Sequence, residues 1–309
     1  MPLRIVKSIE PIEVRTITLC VYAPPGIGKT SLASSAEAPL LLDFDAGAYR
    51  SANRGDIVPV SSWADVAQIE DKDLAPYKTL IVDTAGRALD ALSAEIIRTD
   101  AKMGRGGALS LQGYGALKSR FITWLKWVRS FGIDVVLVCH SDEQKNGDEM
   151  VERLDMQGGS KGEVYKSADV MGRLYLKNGK RVLNFSPTDT AFGKNPAQLA
   201  PIEVPDFSVE PRFFARVIGD IKAHLNKKTA EQAAASAALE EWQGLVGAAT
   251  SAADFDSLVT SAAESPENIR TNIKRMIMAE AKKKGFTYDA AAKAFAQATP
   301  APAPAQAAS

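Results

Sequence analysis

The run Ala23-Pro24-Pro25-Gly26-Ile27-Gly28-Lys29-Thr30 holds the densest chemical signal in the chain. Two glycines ahead of a lysine and a hydroxyl residue suit a polyphosphate. Gly26 and Gly28 let the backbone turn its N–H groups onto phosphate oxygens. Lys29 brings a point charge to β- and γ-phosphates, and the Thr30 hydroxyl is a ligand for an accompanying Mg²⁺. Upstream, Thr16 to Tyr22 is apolar and β-rich; downstream, Ser31 to Ala36 is small and helix-compatible. The order is strand, glycine-rich turn, helix, which is the Walker A context. Ala23 stands where the pattern ordinarily opens with glycine. The predicted ligand is a nucleoside triphosphate, bound along Ala23 to Ser31.

Three further strand ends carry polar chemistry. Leu80-Ile81-Val82-Asp83 is an apolar strand ending in a carboxylate, the Walker B pattern. Asp83 there would hold Mg²⁺ directly or through water. Leu41-Leu42-Asp43-Phe44-Asp45 places two carboxylates on one face of a strand end. One of them is a candidate general base for an attacking water, Asp45 ahead of Asp43. The alternative is a solvated strand end, or a carboxylate that holds the turn at Gly47. Val135 to Cys139 leads into His140, a polar contact for the γ-phosphate or a plain hydrogen-bonding residue.

The elements that must position these groups alternate. Strands are expected at 16–22, 39–44, 56–60, 79–83, 134–139, 170–177 and 181–186. Helices are expected after the loop and at 63–69, 87–99, 114–131 and 211–225. This alternation predicts a mainly parallel α/β sheet, with antiparallel end strands because Asn178-Gly179 is a hairpin-turn pair. Loops are expected at 103–115 and 141–169. Composition changes after Lys228, where an Ala-rich stretch and further helices begin. Ser265-Pro266-Glu267 reads as a helix start and Lys284-Gly285 as a stop. Ile269, Ile273 and Ile277 recur at four-residue spacing beside basic residues, an amphipathic pattern. The expected division is 1–228 for the nucleotide-binding core, 229–298 for a helical region and 299–309 for a disordered Pro/Ala tail.

Lys plus Arg equals Asp plus Glu, 37 each, so no global charge draws the chain to nucleic acid. A local patch exists: residues 98–129 hold seven basic side chains and one acid, a net charge of +6. It suits a nucleic-acid backbone, a neighbouring subunit or a solvated helix face. The N-terminus lacks an apolar signal core and no run approaches a membrane span. Two cysteines, Cys20 and Cys139, lie in apolar strands, which fits a reducing cytoplasm.

Together these motifs resemble the RecA-type recombinase core, and more closely the phage-encoded, RecA/RadA-like ATPases of the Sak single-strand annealing group. The resemblance covers roughly Thr16 to Leu225. It implies a RecA-like P-loop NTPase core with a small C-terminal helical region, ATP and Mg²⁺ as ligands, single-stranded DNA as partner, and a homo-oligomer with a shared ATP site. For a phage protein, the setting would be the host cytoplasm. Asp45 falls where that family has a water-positioning Glu. His140 falls near its γ-phosphate sensor. Lys194, in F-G-K-N, falls at the element that completes a neighbour's ATP site. Two other readings stay open. One is an ATP-gated loader or scaffold recruiting a replication or recombination protein. The other is a GTPase, since Asp83-Thr84-Ala85-Gly86 fits D-x-x-G, although the guanine-reading Asn-Lys-x-Asp is missing after Val138.

Overall fold

The computed structural model of the protein describes residues 3–51, 53–147, 149–156 and 160–297. Gly158-Gly159 and the segment 299–309 lie outside the described residues. The chain divides into two compact units. Val14–Leu225 forms one; the described parts of 1–13 and 226–309 form the other.

In the first unit, β1 (Thr18–Ala23) and α1 (Lys29–Ala33) flank the glycine-rich loop. Next come β2 (Pro39–Asp43), β3 (Asp56–Pro59), short helices α2 (Ala64–Ala67) and α3 (Asp71–Leu74), β4 (Thr79–Asp83) and α4 (Ala85–Thr99). A tight hairpin of β5 (Gly104–Arg105) and β6 (Ala108–Leu109) leads into α5 (Leu111–Ser130). The unit continues through β7 (Asp134–Asn146), β8 (Glu149–Leu154), α6 (Ser160–Ser167), β9 (Val170–Lys177), β10 (Lys180–Asn184) and β11 (Ile202–Glu203). It ends in the first part of α7 (Phe213–Ala248).

Among the described residues, nine strands form one sheet in the order β11-β10-β9-β1-β7-β4-β2-β3, with β8 paired to the far end of β7. The run from β9 to β3 is parallel, and β9-β10-β11 is antiparallel. This is the mainly parallel α/β sheet with antiparallel end strands expected from the sequence. Side chains alternate along each buried strand. Cys20, Tyr22, Leu80, Val82, Leu137 and Cys139 pack one face against α4 and α5. Leu19, Val21, Ile81, Val136 and Val138 pack the other against α1 and α7, through Leu32, Phe213, Phe214 and Val217. Each large side chain buried this way contributes about 1.5–3 kcal/mol. Cys20 and Cys139 are buried free thiols with sulfurs 3.7 Å apart.

Several elements differ from expectation. The expected helix at 63–69 shrinks to α2. The carbonyls of Val66 and Ile69 instead accept the indole N–H of Trp124 (2.9 Å) and Trp127 (3.0 Å) from α5. The 103–115 loop is the β5–β6 hairpin and the start of α5, whose Ser110 cap accepts from the Gly113 N–H. The 141–169 loop is also ordered where described. β7 continues to Asn146, Gly147 turns with φ +64°, and β8 returns. Asn146, paired with Glu149, is the last strand residue before this turn, whereas Asn178-Gly179 is itself the turn between Lys177 and Lys180. The flanks of the β7–β8 hairpin are polar, as a two-stranded excursion away from the core allows. The helix from Phe213 does not stop at the composition change but runs unbroken to Ala248.

The second unit comprises the later part of α7, α8 (Ala252–Ala262), α9 (Glu267–Lys283) and a hairpin of β12 (Phe286–Asp289) and β13 (Ala294–Gln297). Its core gathers Val246, Phe255, Ile269, Ile273, Ile277 and Phe295. Pro266, not Ser265, takes the cap position of α9; the Ser265 carbonyl accepts the Arg270 guanidinium at 2.8 Å. The terminal hairpin was not expected. No described helix is long and apolar enough to cross a membrane.

Gly193 shows how closely the edge of the sheet is packed. A Cβ there would lie 2.4 Å from the Phe185 carbonyl oxygen and 2.6 Å from the Pro187 nitrogen, both backbone. Gly193→Ala is expected to cost on the order of 1–3 kcal/mol, read as a lowered denaturant midpoint with unchanged m-value.

Candidate nucleotide site

Parallel pairing of β1, β7, β4 and β2 brings their carboxyl ends to one edge of the sheet. Ala23 pairs with His140, Asp83 with Val138, and Asp43 with Asp83. The loop after β1 turns on Gly26 (φ +81°) and Gly28 (φ +97°), conformations that L side chains resist. It delivers Lys29 into the first turn of α1, where the helix dipole favours anions.

Lys29 is nearly buried, at 5% exposure. Its ammonium donates to the carbonyls of Ala23 and Pro24, both at 2.9 Å, and to His140 Nδ1 at 3.1 Å. Burial pulls its pKa down to about 8, against the opposing pull of Asp83. Because Nδ1 accepts, the His140 ring proton sits on Nε2, which faces Asp45 Oδ2 at 3.8 Å. Burial, reinforced by Lys29, lowers the His140 pKa, so the ring is neutral at pH 7.

Thr30 Oγ1 donates to Asp83 Oδ2 at 2.6 Å. Burial raises the Asp83 pKa; the Thr30 hydrogen bond opposes it, and Asp43 and Asp45 add to it. A buried hydroxyl–carboxylate pair whose negative charge is this poorly compensated suits a hard cation with oxygen ligands. Thr30 and Asp83 are the side chains placed to hold one.

The two carboxylates after β2 divide their tasks. Asp43 accepts the N–H groups of Gly47 and Ala48, each at 3.0 Å, and so holds the turn. Asp45 is left facing the site, ringed by His140, Arg87 (3.5 Å) and Arg50 (4.0 Å). The two arginines were not anticipated. Arg87 lies in the first turn of α4, its N–H donating to the Thr84 cap that follows Asp83. Below His140, the Asp155 N–H donates to the His140 carbonyl at 2.9 Å. Ser141 Oγ reaches Glu152 at 2.6 Å, and Glu152 pairs with Arg173 at 2.5 Å. These contacts pin the β7–β8 hairpin to the same edge.

Lys194 is not part of this cluster. Its ammonium donates to the Ala168 carbonyl at 2.7 Å, beside Asp169, whose N–H bonds the Thr18 carbonyl at the start of β1. That is the edge of the sheet opposite the loop.

A strand-loop-helix with this lysine, a facing carboxylate and the intervening β7 defines a nucleotide-binding P-loop ATPase. The sequence matches the AAA domain family over residues 15–197, and the chain belongs to that family. Among solved structures it is similar to a KaiC-like protein from the archaeon Pyrococcus horikoshii, at 14% identity over 59% of this chain and 87% of that one, with a TM-score of 0.31. It is also similar to the RadB recombinase, at 16% identity over 54% and 79% of the two chains, with a TM-score of 0.33. A comparison with curated proteins gives no match.

The titration of Lys29 makes a pH prediction. In the free protein the ammonium loses its proton near pH 8; a bound triphosphate stabilises it. Binding then takes up a proton above pH 8, and ATP affinity falls as pH rises, approaching about tenfold per pH unit. Below pH 8 this contribution is flat. Calorimetric titrations from pH 7 to 9.5 read the slope, and Lys29→Ala should bind weakly with the slope abolished.

Proposed function

We propose that the protein hydrolyses ATP while acting on single-stranded DNA in annealing or recombination, in the manner of the phage-encoded Sak group. The observation that carries this reading is the gathering of Asp83, Thr30, Lys29, His140 and Asp45 along one strand edge, with Thr30 bonded to Asp83 and Lys29 to His140. Lys29 binds the β- and γ-phosphates. Thr30 Oγ1 and Asp83 hold Mg²⁺, whose charge offsets that of the phosphoryl group. Asp45 positions the attacking water, and neutral His140, bonded to Lys29, senses the γ-phosphate. Lys194 lies on the opposite sheet edge, as a residue serving an adjacent copy in a head-to-tail assembly would.

The DNA reading rests on residues 98–129. Acids neutralise three of the seven basic side chains: Arg98 by Glu95, Lys118 by Glu163 and Arg129 by Asp169. Lys102, Arg105, Arg120 and Lys126 form no ion pair among the described residues. Arg105 stands on the β5–β6 hairpin, and nearby Leu111 is 90% exposed and Tyr114 37% exposed. Cations beside an exposed apolar and aromatic surface suit a phosphate backbone with unstacked bases.

ATP turnover with and without single-stranded DNA tests the reading. DNA should stimulate turnover, and Lys29→Ala should abolish it. Turnover indifferent to DNA would favour an ATP-gated loader that recruits a recombination or replication protein. A second test concerns the hairpin. Replacing Lys102 and Arg105 by Ala should weaken DNA binding and flatten the slope of log K against log salt by about 1.4, at ~0.7 per lost phosphate contact.

A further inference from the structure

A cleft of about 440 Å³ opens beside the phosphate loop, on the flank away from His140 and Asp83. Gly26 to Gly28 form one wall; the β9–β10 hairpin, with Leu176, Lys180 and Arg181, and Glu203 of β11 with Val204 after it form the other. Its size falls in the range of small-molecule sites, roughly 300–1,000 Å³.

Arg181 is the unusual member. Its Nη1 lies 2.8 Å from the point where a Cβ on Gly28 would stand, so the guanidinium rests on the loop itself. Its other face stacks on buried Phe207, 5.2 Å from the ring centroid. Lys180 beside it is neutralised by Glu203 at 2.8 Å. The Arg181 backbone bonds within the sheet, its carbonyl accepting from the Val204 N–H at 2.8 Å, but its guanidinium has no hydrogen bond or ion pair among the described residues. Asp206 feels its charge without reaching it. A half-buried guanidinium with free donors is thus held against backbone N–H groups that are themselves an anion site. Like-signed dipoles and charge in one place need an anion between them.

Strand order says which part of the anion this is. His140 lies on β7, Asp83 ends β4 and Asp45 follows β2, on one side of β1; Arg181 is on β10, on the other side. A triphosphate with its γ end at Lys29 and His140 leads its α end, and the nucleoside, toward β9 and β10. We propose that Arg181 binds the α- and β-phosphates of the nucleotide from within the same chain, and that the cleft beyond it takes the nucleoside. The proposal rests on the reading that the loop binds ATP, and deepens it by assigning the other end of the ligand.

Calorimetric titration of ATP and of ADP into the full chain, with Mg²⁺, tests it. Arg181→Ala should weaken both nucleotides alike, by about ten- to a hundredfold, as loss of a charge-assisted hydrogen bond does. Arg181→Lys should recover part of the loss. Arg181→Met keeps the stem packed on Phe207 and serves if the alanine variant does not fold; it should lose affinity to the same extent. Unchanged ADP affinity in folded Arg181 variants overturns the assignment, and so does a loss confined to ATP, which would put Arg181 at the γ end. Wild-type protein that binds neither nucleotide overturns the ATP reading and this inference together.

Discussion

A buried ammonium with no carboxylate in contact organises the first unit. The three donors of Lys29 go to two loop carbonyls and one imidazole nitrogen. This leaves the hydrogen bonds satisfied and the charge uncompensated. Such a group is costly to bury, and its lowered pKa is the measure of that cost. The loop must fold around it, so Gly26 and Gly28 take backbone conformations closed to other residues. The sheet must bring β7 beside β1, so that His140 can accept the third bond.

Opposite charge is stationed close by but kept apart. Asp83 is tied to Thr30, Asp43 to its turn, and Asp45 to arginines on two different elements. None of these carboxylates closes an ion pair with Lys29. Had one done so, the pair would be self-satisfied and a polyphosphate would have to break it. Separated, the cation and the carboxylates leave room for an anion and a cation to enter together. Arg181 extends the same arrangement to the far side of the loop, where a stacked aromatic ring replaces an acid as its support.

The second unit follows simpler rules. Ile269, Ile273 and Ile277 are buried together on α9, as their spacing requires. The exposed faces of α9 keep Lys274, Arg275 and Lys282 in solvent. Its β12–β13 hairpin closes the core with Phe295, which packs on Phe255 and Tyr288. No turn pair announces that hairpin; its alanine-rich connection reads as helix until the aromatic contacts select strands.

What the sequence determined by itself was local. The phosphate loop, the strand end at Asp83, and the alternation of strands and helices depend on neighbours a few residues apart. Glycine, a charged terminus or a period of two or 3.6 declares such features directly. Tertiary structure decided the rest, because it depends on contacts across the chain. Asp43 and Asp45 are indistinguishable as residues two apart; only the turn at Gly47 assigns one to the backbone and leaves the other to the site. Trp124 and Trp127 end a helix 58 residues away. Arg87 and Arg181 gain their meaning from β2 and from Gly28, which no spacing in the sequence relates to them. Charge placed by pairing between distant strands leaves no local pattern, and that is why the cations around the site became visible only in the folded chain.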